Sequence, residues 1–267
     1  MSEAQPKSFV APCRNLDPAA PLVWLRDGWR DFRSAPGLSL AWGLFCCLLS
    51  LAIAWLAWAA GGWVLLISLL SGFVFVAPLL AFGMYSVSRQ LCLGNRPTLA
   101  WTIKAARRPL ANSLVFALVL LVILLLWARA GAMVHVFFPT DGAIQVRELV
   151  AFLTIGSAVG AVFAAFTFSA SVFSLPFIAN RDVDVITAVV SSINAVLRNR
   201  WTLALWGALV ALLTLVGFAT ALIGFVVIIP WVGYATWHGY REALDVSEWG
   251  TLPSAPPAAV GGLESKV

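Results

Sequence analysis

The sequence predicts an all-α, polytopic membrane protein with six transmembrane helices, arranged as three hairpins that each follow an amphipathic helix at the cytoplasmic membrane surface. Two observations indicate this fold class. Hydrophobic residues make up 61% of the chain and charged residues only 11%, whereas a soluble domain has about 25% charged residues. In addition, several uncharged runs exceed the ~18 residues at which an apolar stretch is read as a membrane span.

The lengths of the uncharged runs predict the number of spans. Residues 38–87 carry no charge, but one helix of that length would reach about 75 Å, far beyond a hydrocarbon core of ~30 Å. The run must therefore fold back, and Gly61 and Gly62 are the expected turn, with spans over residues 38–60 and 63–87. Residues 110–128 and 149–179 form the third and fourth spans. Residues 201–240 require a last hairpin, with its turn within residues 217–224.

The basic residues predict the orientation of these spans. Of the 17 Lys and Arg residues, all but Arg129 and Arg147 fall on one side of the predicted spans. Cytoplasmic loops are enriched in Lys and Arg, so both termini are expected in the cytoplasm. Polar, Pro-rich ends predict flexible or disordered tails over residues 1–20 and 245–267 on either side of a membrane domain over residues 21–244.

A basic, amphipathic stretch recurs before each predicted hairpin. Near residue 22, Leu22, Leu25, Trp29 and Phe32 share one helical face, and arginines occupy the others. Similar stretches begin near residues 98 and 185, which predicts an internal repeat with units over about 22–96, 97–182 and 183–244. Such helices lie at the interface and contact anionic headgroups. The expected lipid contacts are Arg26, Trp29, Arg30, Arg33, Lys104, Arg107 and Arg108.

Four segments of the chain resemble the bacterial domain of unknown function 2189 family. They are GWRDFRSAP before the first span, PLLAFGMYSVSRQ at the end of the second, NRDVDVITAVVSSINAVLRN after the fourth and ATWHGYREAL at the end of the last. The resemblance covers roughly residues 22–244. It implies a six-span bacterial inner-membrane protein of unestablished role and supplies no catalytic or binding residues.

Some members of that family are labelled as cytochrome c oxidase subunit I, and the residues of this chain argue against that label. Such a subunit needs several histidines in its spans to ligate haem and copper, whereas this chain has two, His135 and His238. The four cysteines show no metal-ligand spacing. We therefore expect no cofactor, no metal site and no catalytic residues.

Small residues and prolines inside the spans suggest structural roles. Gly156, Gly160 and Ala164 recur every four residues, which is typical of close helix packing, either within the bundle or between two copies of the chain. Prolines in the second span of each hairpin kink the helix or free carbonyls toward a cavity. The candidates for a kink or cavity are Pro78, Tyr85, Pro176, Pro230 and Tyr234.

The functional expectation follows from the scarcity of chemistry-bearing residues. No acidic residue lies between Asp31 and Asp141, and no span has a central charge of the kind that ion-coupled carriers use. We expect a non-enzymatic inner-membrane protein with an accessory, assembly or lipid-interacting role. The alternative is a transporter or channel for a lipid or small amphiphile, with Thr167, Ser169, Ser171 and Ser174 lining a polar cleft. The expected partners are anionic lipids and a second membrane protein or a second copy, and not nucleic acid.

Overall fold

A computed structural model of the protein describes residues 9–107, 110–137 and 146–252. These residues form ten helices and, besides them, only two isolated β-bridges. The all-α prediction is therefore confirmed for this part of the chain. The helices are α1 (Ala20–Ser34), α2 (Pro36–Leu80), α3 (Phe82–Cys92), α4 (Leu99–Arg107), α5 (Leu110–Phe137), α6 (Val146–Ser171), α7 (Ser174–Asn180), α8 (Val185–Arg198), α9 (Arg200–Ala219) and α10 (Phe225–Ala243).

Four helical segments among the described residues are long and apolar enough to cross a membrane. They are Pro36–Gly62, Ala111–Gly131, Val150–Asn180 and Arg200–Ala219. Large apolar side chains on them are exposed, including Leu44, Trp55, Leu118, Val162 and Leu212, as expected of surfaces that face lipid. The structure thus shows an integral membrane protein with several apolar helices, whereas the count of six spans remains a prediction.

Helix α2 breaks at Gly62, one of the two glycines predicted to form the first turn. The backbone there has φ +60° and ψ −145°, a conformation that glycine adopts without steric cost. Beyond this break the chain reverses direction, and Leu80 lies beside Trp42 near the start of α2. The indole N–H of Trp42 donates to the carbonyl of Leu80 over 2.8 Å. A straight helix would hold these two residues about 57 Å apart.

The turn between α9 and α10 lies beside the middle of the Pro36–Gly62 segment. Ala221 and Leu222 have positive φ angles of 51° and 71°, and the Cys47 thiol donates to the carbonyl of Leu222 over 3.5 Å. Cys47 lies eleven residues after Pro36, about 16 Å along a helix. The turn falls within the predicted residues 217–224.

Helix α10 occupies the centre of the bundle and approaches its neighbours at glycines. A Cβ added to Gly28 of α1 would lie 2.6 Å from the backbone nitrogen of Ala235. A Cβ added to Gly43 of α2 would overlap the carbonyl oxygen of Val226. Because only glycine leaves room for such approaches, α1 and α2 pack side by side along opposite halves of α10.

The break between α6 and α7 is satisfied by a serine of α8. The Ser192 hydroxyl accepts from the backbone N–H of Phe173 over 3.1 Å and donates to the carbonyl of Ser169 over 2.7 Å. A helix break leaves such groups unpaired, and burying them unpaired is costly. Ser192 therefore fixes α8 against the point where the chain bends.

Parts of both predicted tails pack against the helices, although the sequence predicted flexible or disordered ends. Ala11 is fully buried and its N–H donates to Ser191, while the Leu16 N–H donates to Asn199. At the other end, Trp249 is buried against Phe177. Composition indicated disorder, but these segments gain partners from α7 and α8 that local sequence does not reveal. Residues 1–8 and 253–267 lie outside the described residues.

Candidate functional site

The second half of α10 and the adjoining face of α1 enclose a buried polar cluster, here called the Asp31 cluster (Asp31, Ser88 and His238). Asp31 is only 6% exposed. One of its carboxylate oxygens, Oδ2, accepts from the Ser88 hydroxyl of α3 and lies 2.9 Å from Nε2 of His238. The cluster joins three helices, and its carboxylate has polar partners in place of the water it lost, which a buried charge requires.

Hydrogen bonds extend the polar contacts from this cluster along α10. The hydroxyls of Ser39 and Tyr234 share a hydrogen bond of 2.8 Å, and both residues are fully buried. At the end of α10, the Trp24 indole N–H donates to Glu242 over 2.7 Å. Each of these bonds joins α10 to a residue before or within the first apolar segment. The orientation of α10 is therefore fixed by polar contacts in addition to apolar ones.

The geometry of the Asp31 cluster is that of a structural junction. Ser88 and His238 both contact the same carboxylate oxygen, so the imidazole does not lie between the serine and the aspartate. A nucleophilic serine needs the imidazole within hydrogen-bond reach of its hydroxyl as the base. In this cluster the Ser88 hydroxyl donates to the Asp31 carboxylate instead of to the imidazole. The hydrogen bonds of the cluster hold α1, α3 and α10 together.

The sequence analysis missed Asp31 and Ser88 and assigned no role to His238. The face of α1 that packs onto α10 consists of Trp24, Gly28 and Asp31, with the same three- and four-residue spacing as the apolar stripe. Gly28 at the centre of this face was the available signal, because a glycine at helical spacing permits close approach. The apolar character of the neighbouring stripe obscured it.

The predicted lipid contacts of α1 lie on the outside of the bundle. Arg26, Arg30 and Arg33 are exposed, and the first two lie 3.5 Å and 3.4 Å from Asp27. Trp29 is 36% exposed and stacks on Phe32. Helix α1 thus has three faces: one packed on α10, one apolar and partly exposed, and one charged.

The second predicted surface helix is only partly described. In α4, the Lys104 ammonium lies 5.3 Å from the centre of the Trp101 ring, and Lys104 is exposed. The side chain of Arg107 and all of Arg108 lie outside the described residues. For this stretch, the lipid-contact prediction stays a prediction.

Two of the three predicted proline kinks have a described environment. Pro176 lies in α7, just after the break from α6, and Pro230 lies within α10, which continues through it. Both are buried. The Pro78 side chain lies outside the described residues, and α2 ends two residues after it. Tyr85 and Tyr234 are buried within the bundle, where Tyr85 meets Phe82.

The close packing expected at Gly156 and Gly160 is not found among the described residues. A Cβ added to Gly156 would meet nothing within 4 Å, and one added to Gly160 would meet only the Trp127 indole nitrogen at 4.0 Å; Ala164 is half-buried. Small residues at every fourth position leave one helix face without bulky side chains. Only the tertiary structure decides which helix packs against that face. Whether the face pairs with a second copy stays a prediction.

Three of the four hydroxyls expected to line a polar cleft bond to the nearby backbone. Ser169, Ser171 and Ser174 each donate to the carbonyl four residues earlier. Such bonds satisfy a hydroxyl locally, so the three serines give no specific support to a transport pathway. The Thr167 hydroxyl is buried and has no hydrogen-bond partner among the described residues. In the described part of the chain, no group of three or more His, Cys, Asp or Glu residues could hold a metal ion.

Comparisons with known proteins agree with the membrane character of the fold. No curated protein matches the chain, and no solved structure matches it. Residues 65–180 match the model of one family, described as "Predicted integral membrane protein (DUF2189)". This match confirms, over the second part of α2 through α7, the family that the sequence resembles.

Proposed function

We propose that this protein is a non-enzymatic component of the bacterial inner membrane that acts through anionic lipids at its charged end, in an accessory or assembly role. The observation that carries this proposal is the three-faced helix α1. Its packed face is held by the Asp31 cluster, which leaves Arg26, Arg30 and the half-exposed Trp29 on the outside. A helix of this kind lies in the plane of the interface, with aromatic side chains at headgroup depth and basic ones near phosphates.

The proposed topology has six membrane-embedded helices in three hairpins, with both termini in the cytoplasm. The reversal at Gly62 and the turn between α9 and α10 support the first and last hairpins. The last hairpin is the shallower one, since its turn lies beside Cys47. Each hairpin returns to the side from which it started, so the two ends of the chain share a side.

If α1 contacts anionic lipids, the amount of anionic lipid that the protein retains should depend on the arginines of α1. The double variant Arg26→Gln/Arg30→Gln, reconstituted in nanodiscs, should retain less phosphatidylglycerol than the wild type, because each basic residue near an anionic surface contributes about 1 kcal/mol. Retained lipid can be counted by native mass spectrometry. The control is Arg129→Gln/Arg147→Gln, which removes two exposed arginines from the predicted opposite side. An equal loss of lipid in both variants would contradict the role of α1.

The topology predicts a specific pattern of thiol labelling. Cys92 is exposed, whereas Cys46 and Cys47 are buried. Burial raises the pKa of the Cys13 thiol, against smaller opposing effects of Asn199 and Arg198. Since the thiolate is the reactive form, an impermeant maleimide should label Cys92 quickly and Cys13 slowly in lysed cells, and label neither in intact cells.

A cysteine introduced at the exposed Ser247 tests the other end of the chain. Ser247→Cys should behave like Cys92, with labelling only after lysis, measured as a mass increase. Labelling of Ser247→Cys from outside intact cells would place the two ends of the chain on opposite sides and refute the three-hairpin topology.

A further inference from the structure

Residues 246–252, here called the C-terminal strap, lie across the end of the Val150–Asn180 segment. The strap pairs with the chain after α7, because the Asp182 N–H donates to the carbonyl of Gly250 and the Leu252 N–H donates to that of Asn180 over 2.9 Å and 3.1 Å. Trp249 anchors it, with its ring 5.3 Å from that of Phe177. The strap thereby covers two arginines.

These two arginines, the arginine pair (Arg89 and Arg181), contact the strap through its carbonyls. Arg89 is only 9% exposed, and its Nη2 donates to the carbonyl of Leu252. Nη1 of Arg181 donates to the carbonyl of Trp249 over 2.8 Å. The Nε of Arg181 is buried and has no hydrogen-bond partner in the described part of the chain. No carboxylate of the described residues lies within the 4.0 Å of an ion pair with either guanidinium.

Among the described residues, no carboxylate within ion-pair distance compensates the charge of the arginine pair. Burial, and then the positive charge of Arg181, lowers the pKa of Arg89, with Tyr240 acting in the opposite direction. Carbonyl dipoles satisfy donors but carry no net charge, and burying a charge without a counter-charge is costly. A guanidinium fork matches the oxygens of a phosphate, which indicates an anionic ligand of that geometry.

We propose that the arginine pair binds the phosphate of an anionic lipid headgroup, in competition with the C-terminal strap. Arg181 directly follows the candidate span Val150–Asn180, which places it at the depth of headgroups. The strap carbonyls accept hydrogen bonds from guanidinium N–H groups. The same N–H groups would bind a phosphate more strongly, because hydrogen bonds between charged groups are about twice as strong as neutral ones. This site rests on the proposed action on anionic lipids and adds a second contact to it. It uses no residue of α1, so its failure would leave the role of α1 standing.

Binding of phosphatidylglycerol to the full-length protein in neutral detergent tests this site, with native mass spectrometry as the readout. Arg89→Gln and Arg181→Gln should each weaken binding about tenfold, the effect of losing one charged hydrogen bond. Arg198→Gln, which removes an exposed arginine whose guanidinium donates to Asn194, should leave it unchanged. Phosphatidylcholine should bind weakly to all of these proteins. Equal binding of phosphatidylglycerol to all four proteins would overturn the proposal.

A shortened chain distinguishes between two roles of the arginine pair: binding an anion, or only holding the strap in place. A chain that ends at Ser247 lacks both carbonyls and should bind phosphatidylglycerol at least as tightly as the full chain. Arg181→Gln in that shortened chain should still weaken binding about tenfold. If the shortened chain no longer binds the lipid, the arginine pair serves only the strap. If inorganic phosphate at millimolar concentration displaces the lipid fully, the ligand is free phosphate and the lipid assignment is wrong.

Discussion

Replacing Asp31 with alanine is expected to lower the free energy of unfolding by about 3 kcal/mol, because it leaves the buried Ser88 and the partly buried His238 without their shared hydrogen-bond partner. A buried hydrogen-bonding group left unpaired costs about 1–3 kcal/mol, and this substitution affects two such groups. The expected effect lies within this range. It should appear as a lower melting temperature of the purified protein in detergent.

Asp27→Ala is the matched control on the same helix. The Asp27 side chain is 20% exposed and contacts only exposed arginines in the ion pairs of the described residues, so its loss should cost less than about 1 kcal/mol. In addition, His238→Ala should cost little more in the Asp31→Ala background, because residues in one network are not additive. Equal destabilisation by Asp27→Ala and Asp31→Ala would show that the cluster does not hold α1 on α10.

Gly43→Ala is expected to destabilise the bundle by about 2–3 kcal/mol, the upper part of the range for overpacking. The added methyl group would overlap the carbonyl oxygen of Val226, and backbone cannot rotate away as a flexible side chain can. Helices α2 and α10 would have to separate. Thermal unfolding measured by circular dichroism in detergent gives the size of the effect.

Gly156→Ala is the control for this substitution, since the same change in α6 meets open space. The intrinsic helix preference of alanine over glycine should make that variant neutral or more stable by up to about 1 kcal/mol. Opposite signs at the two glycines are the expected result. A destabilising Gly156→Ala would indicate a close helix contact at that face after all, such as one with a second copy of the chain.

Much of the fold could be predicted because membrane helices depend on strong local signals. Uncharged runs predicted the positions of the apolar helices, and the pair Gly61-Gly62 predicted the point where α2 breaks. The family match over residues 65–180 agrees with this reading. These predictions succeeded because the bilayer imposes length and polarity limits on each helix separately.

The candidate site could be predicted only in part. The exposed positions of Arg26, Arg30 and Trp29 agree with the surface role expected of α1, whereas the buried role of Asp31 was missed. Trp24, on the same packed face, is 1% exposed and packs edge-on against Trp206 and Phe173. Helical spacing identified two faces of α1, but it did not show that a third face packs against protein.

The sequence by itself determined the class of the protein, the positions of its apolar helices and the concentration of basic residues at one predicted end. These properties depend on composition and on distances along the chain, so no partner helix is needed to read them. Only the tertiary structure decided which glycines mark close contacts, that the terminal segments pack, and that Asp31 and the arginine pair are buried. Each of these depends on which helix faces which, and helix packing joins residues such as Asp31 and His238 that lie 207 positions apart.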